Sequence, residues 1–299
     1  MRDRAVLRTA AAAVAALALG AGVARAQSTL DTTIAVRSGT RLSVHNYNGE
    51  VTIRGWNRSQ IRITGEYDRG RPEIEVTGSS VTLRTTHRRG NDDVELSISV
   101  PQNTAIEVNG MSVDVTIADV CGEVEVGTLN GDVNVRCASD ARINSVSGDV
   151  ALDDVRGNAD VNATSGSIEV RGVRGIASLH AVSGDIAMSG IEGTQVEAET
   201  VSGEVDYAGP ILDNGRYRFA SHSGDVTVRV SGALNATVET ETFSGEFASD
   251  WPFQIGGPEG ATISKNMSFR LGNGRARLRL ASFSGTISLR RATGSPREE

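Results

Sequence analysis

The chain has 299 residues, with 30 Lys and Arg against 37 Asp and Glu and a net charge of −7. A surface of that sign repels nucleic acid and anionic lipid, so partners recognised through phosphate are not expected. Aromatics are only 4 % and glycine reaches 34 residues, which excludes a thick aromatic-filled core and suits short strands joined by tight turns.

The first segment reads as an address. Arg2, Arg4 and Arg8 form a basic stretch, Ala10 to Leu19 an apolar run, and Ala24-Arg25-Ala26 a small-x-small cleavage pattern. The apolar run is too short to span a bilayer, which takes about 20 residues. No Cys follows it, and no Arg-Arg pair precedes it. Residues 1–26 are therefore expected to be a cleaved secretory signal. They hold four Arg and one Asp, so residues 27–299 keep 26 basic and 36 acidic groups, a net charge of −10. No long apolar run follows, and a soluble exported protein without membrane insertion is expected.

Residues 27–100 alternate irregularly between apolar and polar. Strands are predicted over 34–36, 41–47, 50–54, 60–66, 73–77, 80–85 and 93–100, with turns at Asn48-Gly49 and Gly78-Ser79. An atypical first unit of this kind is what an open-ended stack needs to cover its edge.

From residue 101 to 291 a repeat dominates. A Ser-Gly or Asn-Gly step places glycines at Gly131, Gly148, Gly166, Gly184, Gly203, Gly224, Gly245 and Gly285. The first seven are 17, 18, 18, 19, 21 and 21 residues apart, and the last gap is 40. The position after each glycine is mostly acidic: Asp132, Asp149, Asp185, Glu204, Asp225, Glu246. Two after it every residue is apolar, as in Val133, Val150, Ile168 and Ile186, and four after it the column is again mostly apolar. This is the period of a half-buried strand leaving a glycine turn. A second glycine in several coils (Gly122, Gly157, Gly175, Gly193) introduces another short alternating strand. Two strands and two turns per 18–21 residues make one coil of a parallel β-solenoid, all-β, whose coils stack about 4.8 Å apart. An antiparallel sandwich is the competing fold, but it has no reason to repeat one residue type in one column. Handedness stays open. An insertion is expected near 250–268, and a disordered tail over 292–299.

Chemistry is sparse. His45, His87, His180 and His222 lack metal-ligand spacing, and His222, sharing its column with Val, Leu, Thr and Phe, reads as a wall residue. No nucleophile elbow, phosphate loop or dinucleotide fingerprint occurs. The acids are spread one per coil, as turn preference would spread them. Asp149→Ser is accordingly expected to cost less than about 0.5 kcal/mol. The alternative use of that column is a calcium ladder, since stacked carboxylates repel by roughly 1 kcal/mol per pair in water, but the calcium nonapeptide pattern is absent. No catalytic, cofactor-binding or metal residue is assigned. Nine of the twelve aromatics lie between Tyr207 and Phe283. They either fill the wider C-terminal coils, with Trp251 and Phe253 over the open end, or form a patch for glycan or protein.

The two cysteines, Cys121 and Cys137, lie ten residues before Gly131 and eleven before Gly148. Nearly one column in adjacent coils would bring their Cα atoms to about 5 Å, within disulfide reach. The one-residue offset leaves two unpaired thiols as the other outcome.

The order of these features resembles the bacterial putative-adhesin β-repeat family, a domain of unknown function. The likeness is carried by Leu42-Ser43-Val44, Asn48-Gly49-Glu50-Val51 and Gly55-Trp56, then Ser99-Val100-Pro101, the Ser-Gly-Asp-Val coils and Phe283-Ser284-Gly285-Thr286-Ile287. It implies a right-handed parallel β-helix-like fold in the cell envelope and little about mechanism. The expected function is a monomeric, non-enzymatic, adhesin-like envelope protein, periplasmic or at the cell surface, that meets an envelope protein or glycan. The alternatives are a carbohydrate-active β-helix enzyme of the lyase or hydrolase type, and a periplasmic stress or scaffold protein.

Overall fold

The computed structural model describes residues 28–67, 72–85, 93–252 and 266–292. The signal segment, His87, Phe253, most of the 250–268 insertion and the tail beyond 292 lie outside them. The irregular first part contains β1 (Ser28–Ala35), β2 (Arg41–Trp56), β3 (Gln60–Tyr67), β4 (Glu73–Thr77), β5 (Ser80–Arg84), β6 (Val94–Pro101) and β7 (Ala105–Ala118). The regular coils follow in pairs: β8 (Val124–Asn130) with β9 (Val133–Ala138), β10 (Ala141–Ser147) with β11 (Val150–Val155), β12 (Ala159–Ser165) with β13 (Ile168–Val173), and β14 (Ala177–Ser183) with β15 (Ile186–Ser189). Wider coils hold β16 (Gln195–Ser202) and β17 (Val205–Gly209), then β18 (Arg216–Ser223) and β19 (Val226–Val230). The end comprises β20 (Ala236–Thr242), β21 (Phe247–Ser249), β22 (Asn266–Arg270), β23 (Ala276–Ser282) and β24 (Ile287–Arg291).

The protein is a parallel β-solenoid of two facing sheets. Val133, Val150, Ile168, Ile186, Val205 and Val226 stack residue on residue, as the glycine spacing requires. All are at most 1 % exposed and form one internal ladder. The facing sheet adapts to coil width. Its inward column reads Ala141, Ala159 and Ala177 in the narrow coils, then Val196 and Tyr217 where the coil widens. Tyr207, Tyr217 and Phe219 fill that wider interior, with the Tyr207 and Phe219 ring centroids 5.0 Å apart. Burial pushes the Tyr207 phenol pKa up, and its hydroxyl donates to the Pro210 carbonyl at 2.7 Å.

Two corner devices explain the repeated residues. At Gly166 the backbone has φ 127°, and a Cβ would overlap the carbonyl oxygen of Gly148 one rung below. The same overlap recurs up the glycine column, so stacking itself demands glycine there. Beside it the carboxylates of Asp114, Asp132 and Asp149 accept the amide N–H groups of Asp132, Asp149 and Ser167 at 2.8–2.9 Å. Asp185 and Asp225 do the same for Glu204 and Thr286. The acids are thus rung-to-rung ties as well as turn formers. The small cost expected of Asp149→Ser is corrected upward, because Ser167, standing in the same column, makes no such bond to the rung above it.

Rung order is the main departure from the sequence reading. Strand β2, within the supposed cap, is a full rung on which β7 lies over thirteen residue pairs. Its other side carries β5 and β6, both parallel, although both follow it in the chain. The antiparallel strands β3, β1 and β4 close that end. At the opposite end β23 and β24 lie directly on β18 and β19. The earlier rung β20–β21 stacks outside them and is edged by antiparallel β22. The glycine column therefore runs Gly224, Gly285, Gly245. Asp250 fastens the exchange: its carboxylate accepts from the Arg291 amide at 3.0 Å and pairs with Arg290 at 2.9 Å. Those bonds hold its pKa below the usual carboxylate range.

Candidate functional site

Three columns just before the glycine turn build a straight groove along the solenoid. Its floor is small, with Gly110, Thr128, Ser145, Ala163, Ala181, Thr200, Ser221, Ser282 and Thr242 on successive rungs. The hydroxyls of Thr200, Ser221 and Ser282 donate to carbonyls of the glycine column at 2.8–3.1 Å, which makes the floor part of the corner architecture. One wall is polar: Asn144 and Asn162, whose side-chain amide donates a hydrogen bond to Asn144 Oδ1 at 3.3 Å, then His180 and Glu199. Along it the groove opens into stretches of about 510 and 640 Å³ that meet at His180 and Ala181.

The other wall is the column two before the glycine. In spatial order it reads Tyr47, Met111, Leu129, Val146, Thr164, Val182, Val201, His222, Phe283 and Phe243. Among the described residues ten large hydrophobic side chains are exposed, and eight of them stand in this column, at 38–55 % exposure. Exposed apolar residues are ordinarily scattered singly over a protein surface, whereas here they fall in one line. Its C-terminal end is a ring stack. His222 lies on Phe283 and Phe283 on Phe243, each at 4.7 Å between centroids. His222, read as a wall residue from sequence, is exposed and belongs to this outer stripe.

The groove's polar side chains are engaged in pairs. Ser178 Oγ and His180 Nε2 are 3.1 Å apart on the open face. Glu199, one rung on, pairs with Arg218. Glu241 is likewise paired, with Arg279 at 3.0 Å. Among the described residues no three His, Cys, Asp or Glu side chains converge on a common point, and no helix is long and apolar enough to cross a membrane.

The disulfide forms between Cys121 and Cys137, with Cα atoms 5.0 Å apart. The pair is diagonal, not in one column. The register Ala118↔Arg136 sets Cys137 over Asp119, two residues before Cys121. Cys137 (φ 64°) and Asp119 (φ 60°) share a left-handed kink that Gly172 and Gly190 occupy on later rungs. That kink brings the two sulfurs together across the corner. The turn glycines Gly131 to Gly285 line up beside the groove, as their spacing implies. The aliphatic members of the stripe were not singled out from sequence. Parity would have found them, because the residues three and five before glycine point inward and the one between the stripe and the turn is polar.

Three solved structures are similar to this chain at low identity. A putative cell adhesion protein from Clostridium sporogenes is 11 % identical, with 89 % of this chain and 99 % of that one covered and a TM-score of 0.24. A putative adhesin from Bacteroides fragilis is 13 % identical over 88 % and 98 %, TM-score 0.36. One from Parabacteroides distasonis is 9 % identical over 89 % and 98 %, TM-score 0.39. No curated protein matches. The family model described as Toastrack DUF4097 matches residues 39–290, and the chain belongs to that family of putative-adhesin domains of unknown function.

Proposed function

We propose that this chain is an exported, non-enzymatic binding scaffold of the bacterial envelope, adhesin-like, which meets an envelope component through the apolar stripe and its groove. The observation that carries this reading is the confinement of eight exposed large hydrophobic residues to one column. A solenoid suits the role, because its rungs fix a contact line rigidly over many repeats. The Cys121–Cys137 bond fits an oxidising compartment, periplasm or cell surface, and the basic-apolar-small pattern of residues 1–26 fits the route there. Purified protein should be retained on washed envelopes, and Val182→Asp with Val201→Asp should reduce retention at least tenfold while the denaturation midpoint stays put. It should show no turnover on pectins, alginates or simple glycosides. Equal retention of parent and variant would defeat the assignment of the stripe. A saturable hydrolytic or lyase activity lost with a single carboxylate would defeat the non-enzyme reading.

A further inference from the structure

The structure points to one occupant for the stripe: we propose that a second copy of this chain docks there, stripe against stripe, to form a two-fold dimer. This rests on the reading of the stripe as a docking face and names its partner.

Pitch is the first argument. The stripe presents one side chain per rung over ten rungs, about 4.8 Å apart and roughly 40 Å in all. A partner that follows it must repeat at the same step. An extended peptide advances about 3.3 Å per residue and falls out of phase within a few rungs. Another solenoid of this sequence carries the same step by construction, so rung meets rung in phase along the whole line.

Area is the second. At the exposures observed, the column offers on the order of 600 Å² of apolar surface, as large as the biggest patch of an ordinary monomer. Two such faces with their flanking groove walls reach the roughly 1,200–2,000 Å² that specific interfaces bury.

Charge sets the orientation. The serine and asparagine column beside the stripe is neutral, as are Asn109, Asn144 and Asn162 on the groove wall. Among the described residues Glu199 and Glu241, toward one end, are the carboxylates on that wall, and Asp93 accepts a hydrogen bond from Asn48 beside the stripe at the other end. A two-fold axis across the middle, between the Thr164 and Val182 rungs, runs the solenoids antiparallel. Glu199 then faces Asn144, Glu241 faces His45, and the Phe283 end meets Met111 of the other copy. The acidic column beyond the glycines approaches its own copy at the rim, so added salt should strengthen association by screening it.

The test is sedimentation velocity on the mature, disulfide-intact chain from low micromolar to sub-millimolar concentration, at low and high salt. The expected result is a concentration-dependent monomer–dimer equilibrium, tighter at high salt. Val182→Asp and Val201→Asp should each weaken it at least tenfold without moving the denaturation midpoint. A dimer indifferent to both variants would overturn the proposal. A strictly monomeric parent whose envelope retention is still lost in those variants would overturn the second copy and leave the docking face standing. A monomer whose retention ignores them would overturn both.

Discussion

Between Val124 and Val230 every rung lies on the one before it in the chain, whereas at both ends the order is exchanged. In the middle each contact closes a loop of one coil, and one set of columns serves all rungs. At the ends a later segment is tucked under or over an earlier one, and antiparallel strands cover what remains. The difference teaches how an open stack ends. Any rung offers the same parallel edge, so the chain can hold its last coil between two others, bonded on both sides, instead of leaving it to fray.

The comparison can be broken first in the middle. Ile168→Asp puts a carboxylate into a ladder position that is 0 % exposed, between Val150 and Ile186. Burying an unpaired charge there should cost several kcal/mol, on the scale of the about 5–15 kcal/mol of a whole domain, so urea titration should find no folded baseline. A folded variant would mean the serial rungs do not share one interior.

Ending the chain after Asp250 tests the exchange itself. Among the described residues β20 and β21 pair with β22, β23 and β24 alone, so removing these should strip protection from residues 236–249 as well. Hydrogen exchange should show 236–249 unprotected and 124–209 unchanged. Retained protection at 236–249 would mean that β20–β21 redocks on β18–β19 and that rung order is interchangeable.

The junctions are stitched unequally. The Cys121–Cys137 bond joins the rung of β7 to the first serial rung, with a sequence separation of 16. Replacing both by Ala should lower stability by at most about 3 kcal/mol, read as a shift of the denaturation midpoint under non-reducing conditions. The C-terminal junction, stitched by Asp250 instead, should not respond to reductant.

Smaller effects separate the acidic residues from one another. Asp149→Ala loses a bond to the Ser167 amide and should cost about 1 kcal/mol. Glu204→Ala, where no such bond reaches the rung above, should stay within about 0.5 kcal/mol. Equal costs would dissolve the carboxylate ladder. Least of all, Asp250 should make the C-terminal end more acid-sensitive than the serial rungs, as the Asp31–Arg62 pair should at the other end. The folded pKa of Asp250 lies below the ordinary 3.8, so its contribution is complete above that pH and fades as pH falls through the lowered value. Limited proteolysis across that range should reach β20–β24 before the serial rungs, and Asp250→Asn should remove the dependence there.

Sequence alone determined the coil. Glycine spacing, the apolar residues two and four after it, and the acid between them name the rung, its corner and its inward face. Each coil repeats the same local constraint: Gly166 must avoid the Gly148 carbonyl, and Ile168 must find Val150. The cysteine pairing was legible for the same reason, though its diagonal geometry depends on the kink at Cys137. Only the tertiary structure decided which rung lies on which. Gly285 and Gly245 carry the same chemistry, and nothing local tells either to follow Gly224. Connectivity, the edge strands and the Asp250 tie choose between equivalent neighbours. The apolar stripe was legible only in part. Parity turns Val146, Val182 and Val201 outward, but their alignment into one exposed column waits on the stacking of the rungs. An apolar side chain records a preference for burial, and only the folded tube sets such side chains in one line on its outside.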